Sequence, residues 1–167
     1  MIPSGPKSAA CQAIEGFAMG NAVSFTSRIA SSQRQALEQL LFFNKCQDRV
    51  AQKIVDAIDQ FGPPEIVDDG ECLRVKLSGL ADVQSLFAVE PATERPIGVA
   101  IYVRADLEHI TVLHIGLSEE YCSGGSLEDC NLLLRLMKEI RRSTRRVKGV
   151  RRVQVLYGST PRLRALA

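Results

Sequence analysis

His114 is one of only two histidines in this 167-residue chain, and it sits between Leu113 and Ile115 in the apolar run "HITVLHIGL" (109–117). An imidazole titrates close to neutrality, so a histidine there can take a proton from an attacking amine or hold a structural hydrogen bond. Tyr157, closing "VRRVQVLY" (150–157), is a proton donor by type and also an ordinary packing residue at a strand end. Between the two, "EEYCSGGSLEDC" (119–130) sets Gly124-Gly125 in front of a helical pattern. Glycine lets backbone approach a ligand closely, and a helix start offers unpaired N–H groups and a partial positive charge. Ser123, Gly124, Gly125 and Ser126 therefore have the composition of a phosphate cradle, and equally that of a tight turn. Glu108, His109, Glu119, Glu120 and Tyr121 complete the acid–base candidates. Cys122, close to the expected helix start, is the thiol that such a field would activate. Ser118 and Ser126 lack the nucleophile elbow of a serine hydrolase.

A second chemistry lies in "RLMKEIRRSTRRVKGVRRV" (135–153). From Arg135 to the end there are 11 Lys+Arg and one acid, Glu139, whereas residues 1–134 hold 10 basic and 18 acidic residues. Arg141, Arg142, Arg145, Arg146, Arg151 and Arg152 form one basic pole. Arginine pairs well with phosphate, so this pole suits a polyanion or an acidic protein partner. It contains no aromatic residue for base stacking, and some of its charge is what the end of a helix favours anyway.

These residues need elements to position them. Ser32 and Gln35 have the spacing of a capping box before Leu37, Leu40, Leu41, Val50, Ile54 and Ile58, with a break expected at Asn44-Lys45 and a stop at "FGPP" (61–64). Period-two "CLRVKL" (72–77) then predicts a strand with Leu73, Val75 and Leu77 on one face. After the turn "SGLAD" come "VQSLFAV" (83–89), the continuous apolar strand 97–104, the hairpin turn 105–108 and strand 109–117. The odd separation of His109 and His114 places them on opposite faces of that strand. Ser126 and Asp129 read as the cap of a long second helix ending at Lys148-Gly149, before a last strand at 150–157. The expected fold is one α+β domain: a mixed, mainly antiparallel sheet, an N-terminal helical layer and one long helix packed on the sheet. Residues 1–24 read as a tail.

Hydrophobic residues are 46% and charged residues 24%, an ordinary globular balance with no run long enough to span a membrane. The N-terminus does not read as a signal peptide, since Glu15 falls where an apolar core should be. Five cysteines, an odd number without a close pair, suggest free thiols and a cytoplasmic location. No metal site is expected from two histidines so placed.

The order strand, hairpin, strand, glycine-bearing loop, long helix, strand resembles the GNAT superfamily of N-acyltransferases. The likeness is carried by "RPIGVAIYVRADLEHITVLHIGLSEEYCSGGSLEDCNLLLRLMKEI" (95–140) and "VRRVQVLY", with a core at 70–158. It implies acetyl-CoA or another acyl-CoA as cofactor, held by Leu117 at the strand end and by Ser123, Gly124, Gly125 and Ser126. It also implies a small-molecule or protein amine as acceptor, with His114 and Tyr157 as catalytic groups. Relative to the family's Arg/Gln-x-x-Gly-x-Gly/Ala loop, Cys122 replaces the first residue and Leu127 the second small one. The ten residues after Tyr157 leave no room for the family's final helix and strands. The rival expectation is a non-catalytic module of similar fold that uses the basic pole, and a homo-oligomer is compatible with either.

Overall fold

The computed structural model of the protein describes residues 22–42 and 44–156. The described residues open with two short strands, β1 (Ser24–Thr26) and β2 (Ile29–Ala30), then α1 (Arg34–Phe42) and α2 (Ala51–Phe61). Strands β3 (Pro64–Asp68), β4 (Cys72–Leu77), β5 (Val83–Val89), β6 (Pro96–Arg104) and β7 (His109–Leu117) follow, then α3 (Leu132–Thr144) and β8 (Arg152–Val155). The expected break falls between α1 and α2, where Asn44 starts a 3-10 turn by accepting the Cys46 N–H on its side chain. Gly62, at φ +82°, ends α2 ahead of the two prolines. The Ser32–Gln35 capping box does not form: a 3-10 turn over Ser31–Gln33 leads into α1, and no side chain caps it.

Two sheets result, not one. The larger has the order β1-β5-β6-β7-β8, antiparallel except for the parallel pair β7–β8. The smaller is β2-β4-β3, antiparallel throughout. The pairing of 97–104 with 109–117 across their hairpin is present as expected. Strand β6 is nearly all apolar because both of its faces are covered. Val99 and Ile101 join a core with Leu37, Leu40 and Leu41 of α1 and with Leu73, Val75 and Leu77 of β4. Ala100 and Tyr102 join another with Leu132, Leu136 and Ile140 of α3. Each such fully buried leucine or isoleucine stabilises the fold by about 1.5–3 kcal/mol.

Strand β7 departs from simple alternation. Its register with β6 runs Ile101↔His114 and then Tyr102↔Val112, which leaves Leu113 as an extra residue. A bulge of this kind resets which face each side chain takes. Leu113 and His114, adjacent in sequence, line the same cavity under α1 and α2. Face counting across this strand, which set His109 and His114 on opposite sides, therefore fails.

Candidate functional site

Beyond Leu117 the chain turns through a 3-10 segment, Glu119–Tyr121, into the double-glycine loop. Gly124 has φ +85° and open space around it, so its role is conformational. Gly125 serves close packing: a Cβ there would lie 2.4 Å from the carbonyl oxygens of both Glu119 and Glu120. Both glycine N–H groups of the loop are engaged internally. Gly124 donates to Glu128 Oε2 at 2.8 Å, Gly125 to the Cys122 carbonyl at 2.8 Å and Leu127 to the Glu120 carbonyl at 2.7 Å. The Ser123 hydroxyl donates to Glu128 Oε1 at 3.2 Å. An internal carboxylate thus sits where the sequence suggested an external phosphate.

The long helix also starts later than its sequence suggests. A 3-10 turn spans Glu128–Cys130, Asn131 takes the left-handed conformation (φ 48°, ψ 44°), and α3 begins only at Leu132. Neither Ser126 nor Asp129 caps it. The first bond of the helical ladder is from the Arg135 N–H to the Asn131 carbonyl, 3.1 Å. The N–H groups of Leu132, Leu133 and Leu134 precede that bond and are the helix's own orphan donors.

Those leucines line a cleft of about 620 Å³. Among the described residues β8 pairs with β7 as far as Val112↔Val155, and β7 runs on to Leu117. Ile115 and Leu117 form one wall, Val155 and Met137 another, and Tyr121, Cys122, Ser123, Asn131 and the carboxylate of Glu128 the end. Gly124, Gly125 and Ser126 fall outside it. They border a neighbouring cavity with Lys45, Asp48, Glu119 and Glu120, an acidic surrounding that opposes anions. Of the residues expected to hold a cofactor, Leu117 and Ser123 reach the cleft and the other three do not.

Cys46 and Cys122 form a disulfide that ties the α1–α2 connection to this loop. This corrects the expectation of free thiols at both positions and removes Cys122 as a nucleophile; Cys72 and Cys130 are in no disulfide among the described residues. Beside the disulfide, the Asn44 side chain donates to the Leu117 carbonyl and accepts from the Cys46 N–H. Asn44 and Cys46 were not legible as site residues, since only the folded chain brings them to the end of β7.

His114 lies on the opposite face of the sheet from the cleft, 7% exposed, with Nε2 3.2 Å from Gln47 Nε2. Because the amide nitrogen can only donate, the imidazole Nε2 accepts, which places the ring proton on Nδ1. Burial pushes the histidine down to about 4, so it is neutral at pH 7. His109 instead closes the hairpin turn, its Nδ1 2.7 Å from Asp106 Oδ2. Burial in the cleft wall raises the Tyr121 phenol above its usual range, with Glu90 adding to the effect. Glu108 pairs with Arg151 at 3.6 Å. Tyr157 lies outside the described residues.

All six arginines of the basic pole are exposed. Arg142 pairs with Glu139 and Arg151 with Glu108. The pole occupies the C-terminal end of α3 and the start of β8. Met137 of α3 and Val155 of β8 line the cleft as well, so Arg141, one helical turn after Met137, is the pole's nearest arginine to it along the helix.

Fold and site together define an α+β protein with a mainly antiparallel sheet and a cleft between the end of β7 and the start of α3. No helix among the described residues is long and apolar enough to cross a membrane. No known protein family, curated protein or solved structure matches this chain.

Proposed function

We propose that the protein is a divergent GNAT-like N-acyltransferase whose acyl-CoA lies in the cleft between β7 and β8. The observation that carries this reading is the cleft lined by Ile115 and Leu117 of β7, Val155 of β8 and Leu132, Leu133 and Leu134 at the start of α3. Its apolar walls suit an extended chain with alkyl segments. The orphan N–H groups of Leu132, Leu133 and Leu134 suit its phosphates. The phosphate site is thereby shifted from the double glycine to the helix start.

In the reaction, the amine nitrogen attacks the thioester carbonyl, a C–N bond forms, the C–S bond breaks, and CoA leaves as the thiol. The amine must lose a proton, and it passes to water, because His114 is buried on the opposite face of the sheet and out of reach of the cleft. Tyr157 is proposed as donor to the leaving sulfur.

Thermal-shift titration with CoA and acetyl-CoA tests this reading. The parent is expected to be stabilised by both ligands. Leu133→Glu, at a position 44% exposed on the cleft rim, is expected to weaken binding about tenfold by placing a negative charge beside the phosphates. Absence of any shift at millimolar ligand refutes it.

A second reading is favoured by a specific observation, the occupation of the Gly124 N–H by Glu128. On that reading the protein is a non-catalytic module, and the exposed arginine pole binds a nucleic acid or an acidic protein. Retention on heparin at low salt, without CoA binding, is its expected signature.

A further inference from the structure

Two exposed apolar side chains lie among the cations beyond the C-terminal end of α3. Leu107, at the tip of the β6–β7 hairpin, is 76% exposed, and Val147, in the turn after α3, is 40% exposed. Backbone contacts hold these two segments together. The Arg104 guanidinium donates to the Leu107 carbonyl at 2.8 Å and to the Lys148 carbonyl at 3.2 Å. Gly149, at φ +97°, packs so closely that a Cβ there would lie 3.1 Å from the Leu107 carbonyl oxygen. The Glu108 carbonyl accepts from the N–H groups of Arg151 and Arg152, at 2.8 and 3.0 Å. Hairpin tip and turn thus form one surface, which carries Leu107 and Val147 beside exposed Arg145, Arg146, Lys148 and Arg151.

The acids of this surface are engaged locally. Asp106 turns into its own hairpin, where it accepts the Glu108 and His109 N–H groups. Glu108 pairs with Arg151 and Glu139 with Arg142, and neither pair takes in Arg145, Arg146 or Lys148. Single exposed apolar side chains are ordinary on a protein surface. Two of them held on one cationic surface match a partner that offers both hydrocarbon and fixed negative charge. An anionic bilayer does so: its headgroups favour each nearby Lys or Arg about fivefold in affinity, and its acyl boundary takes up alkyl side chains. A nucleic acid offers the charge but stacks its bases on aromatic rings, and segments 104–109 and 141–152 contain no Phe, Tyr or Trp.

We propose that the hairpin tip and the turn after α3 dock on the surface of an anionic bilayer, with Leu107 and Val147 entering the headgroup boundary and the arginines pairing with lipid phosphates. The proposal does not rest on the acyl-CoA reading of the cleft. It gives the arginine pole a partner different from the nucleic acid or acidic protein of the second reading.

The test is co-sedimentation of the full chain with vesicles of phosphatidylcholine alone or of phosphatidylcholine and phosphatidylserine at about 7:3, which carry the negative surface potential. The chain contains no tryptophan, so Leu107→Trp supplies a single fluorescent reporter at an exposed position. The parent is expected to sediment with the phosphatidylserine vesicles and not with phosphatidylcholine alone, and the tryptophan emission to shift to the blue with the former. Leu107→Ser is expected to bind those vesicles about fivefold more weakly yet to elute from heparin with the parent, since its charge is unchanged. Arg145→Glu/Arg146→Glu is expected to lose at least about tenfold in vesicle affinity. No sedimentation with phosphatidylserine vesicles, an unshifted emission in the bound state, or Leu107→Ser binding as tightly as the parent would overturn the proposal. So would binding of duplex DNA by a chain that leaves the vesicles in solution, which would assign the pole to nucleic acid.

Discussion

Replacing each glycine of the double-glycine loop by alanine separates two physical roles. At Gly124 the new methyl group meets nothing within 4 Å, and the cost comes only from holding an L-residue at φ +85°. That strain is about 1 kcal/mol. At Gly125 the methyl carbon would lie 2.4 Å from two backbone carbonyl oxygens, those of Glu119 and Glu120. Neither can swing aside as a flexible side chain would. The Glu120 carbonyl also accepts the Leu127 N–H, and Gly125 itself bonds both Cys122 and Glu128, so the whole turn must move. Overpacking against fixed backbone, with disruption of those bonds, costs about 3 kcal/mol. For a chain of this size each kcal/mol lowers the melting temperature by about 3 °C. Gly124→Ala is thus expected to melt about 3 °C below the parent and Gly125→Ala about 9 °C below it, followed by circular dichroism with a urea titration as a check. Equal losses for the two variants, or a Gly125→Ala variant as stable as the parent, would refute the assignment of Gly125 to close packing.

The buried His114 makes stability depend on pH. Its folded value near 4 lies below the usual 6.5, so the unfolded chain binds more protons between those values and stability falls as pH drops from 6.5 toward 4. The full loss is about 3 kcal/mol, and His114→Leu is expected to flatten this limb of a urea-midpoint profile. Breaking the Cys46–Cys122 disulfide, which links residues 76 apart, removes a loop constraint of about 4 kcal/mol. Dithiothreitol should lower the melting temperature of the parent but not of Cys46→Ala/Cys122→Ala, and an unchanged parent would contradict the bond. Arg145→Glu/Arg146→Glu, at two exposed positions, should weaken heparin retention and flatten its salt dependence while leaving the melt unchanged. Retention equal to the parent's would exclude those arginines from the binding face.

The strands that position the cleft were legible because their signal is local. Strand β4 alternates, and β5, β6 and β7 are apolar runs separated by turn residues. Strand β3 was missed because it begins at Pro64, which looked only like a helix stop, and β1 and β2 are too short to show a period. The start of α3 was misplaced because Asn131 adopts a left-handed conformation that breaks the pattern after a plausible cap. The cleft itself depends on how β7, β8 and the start of α3 pack together, and the disulfide on residues 76 apart in sequence. Neither has a local signature. The bulge at Leu113 likewise arises from pairing with β6, and it alone decides which way His114 faces.

The central claim is that the cleft between β7, β8 and the start of α3 is an acyl-CoA site, and amide NMR during titration with acetyl-CoA tests it most directly. The account predicts saturable shifts at Ile115–Leu117 at the end of β7 and at Leu132–Leu134 on the orphan helix donors, with the loop amide of Gly124 remaining on Glu128. Shifts gathered instead at Arg141–Arg152, or no shift anywhere at millimolar ligand, would contradict it.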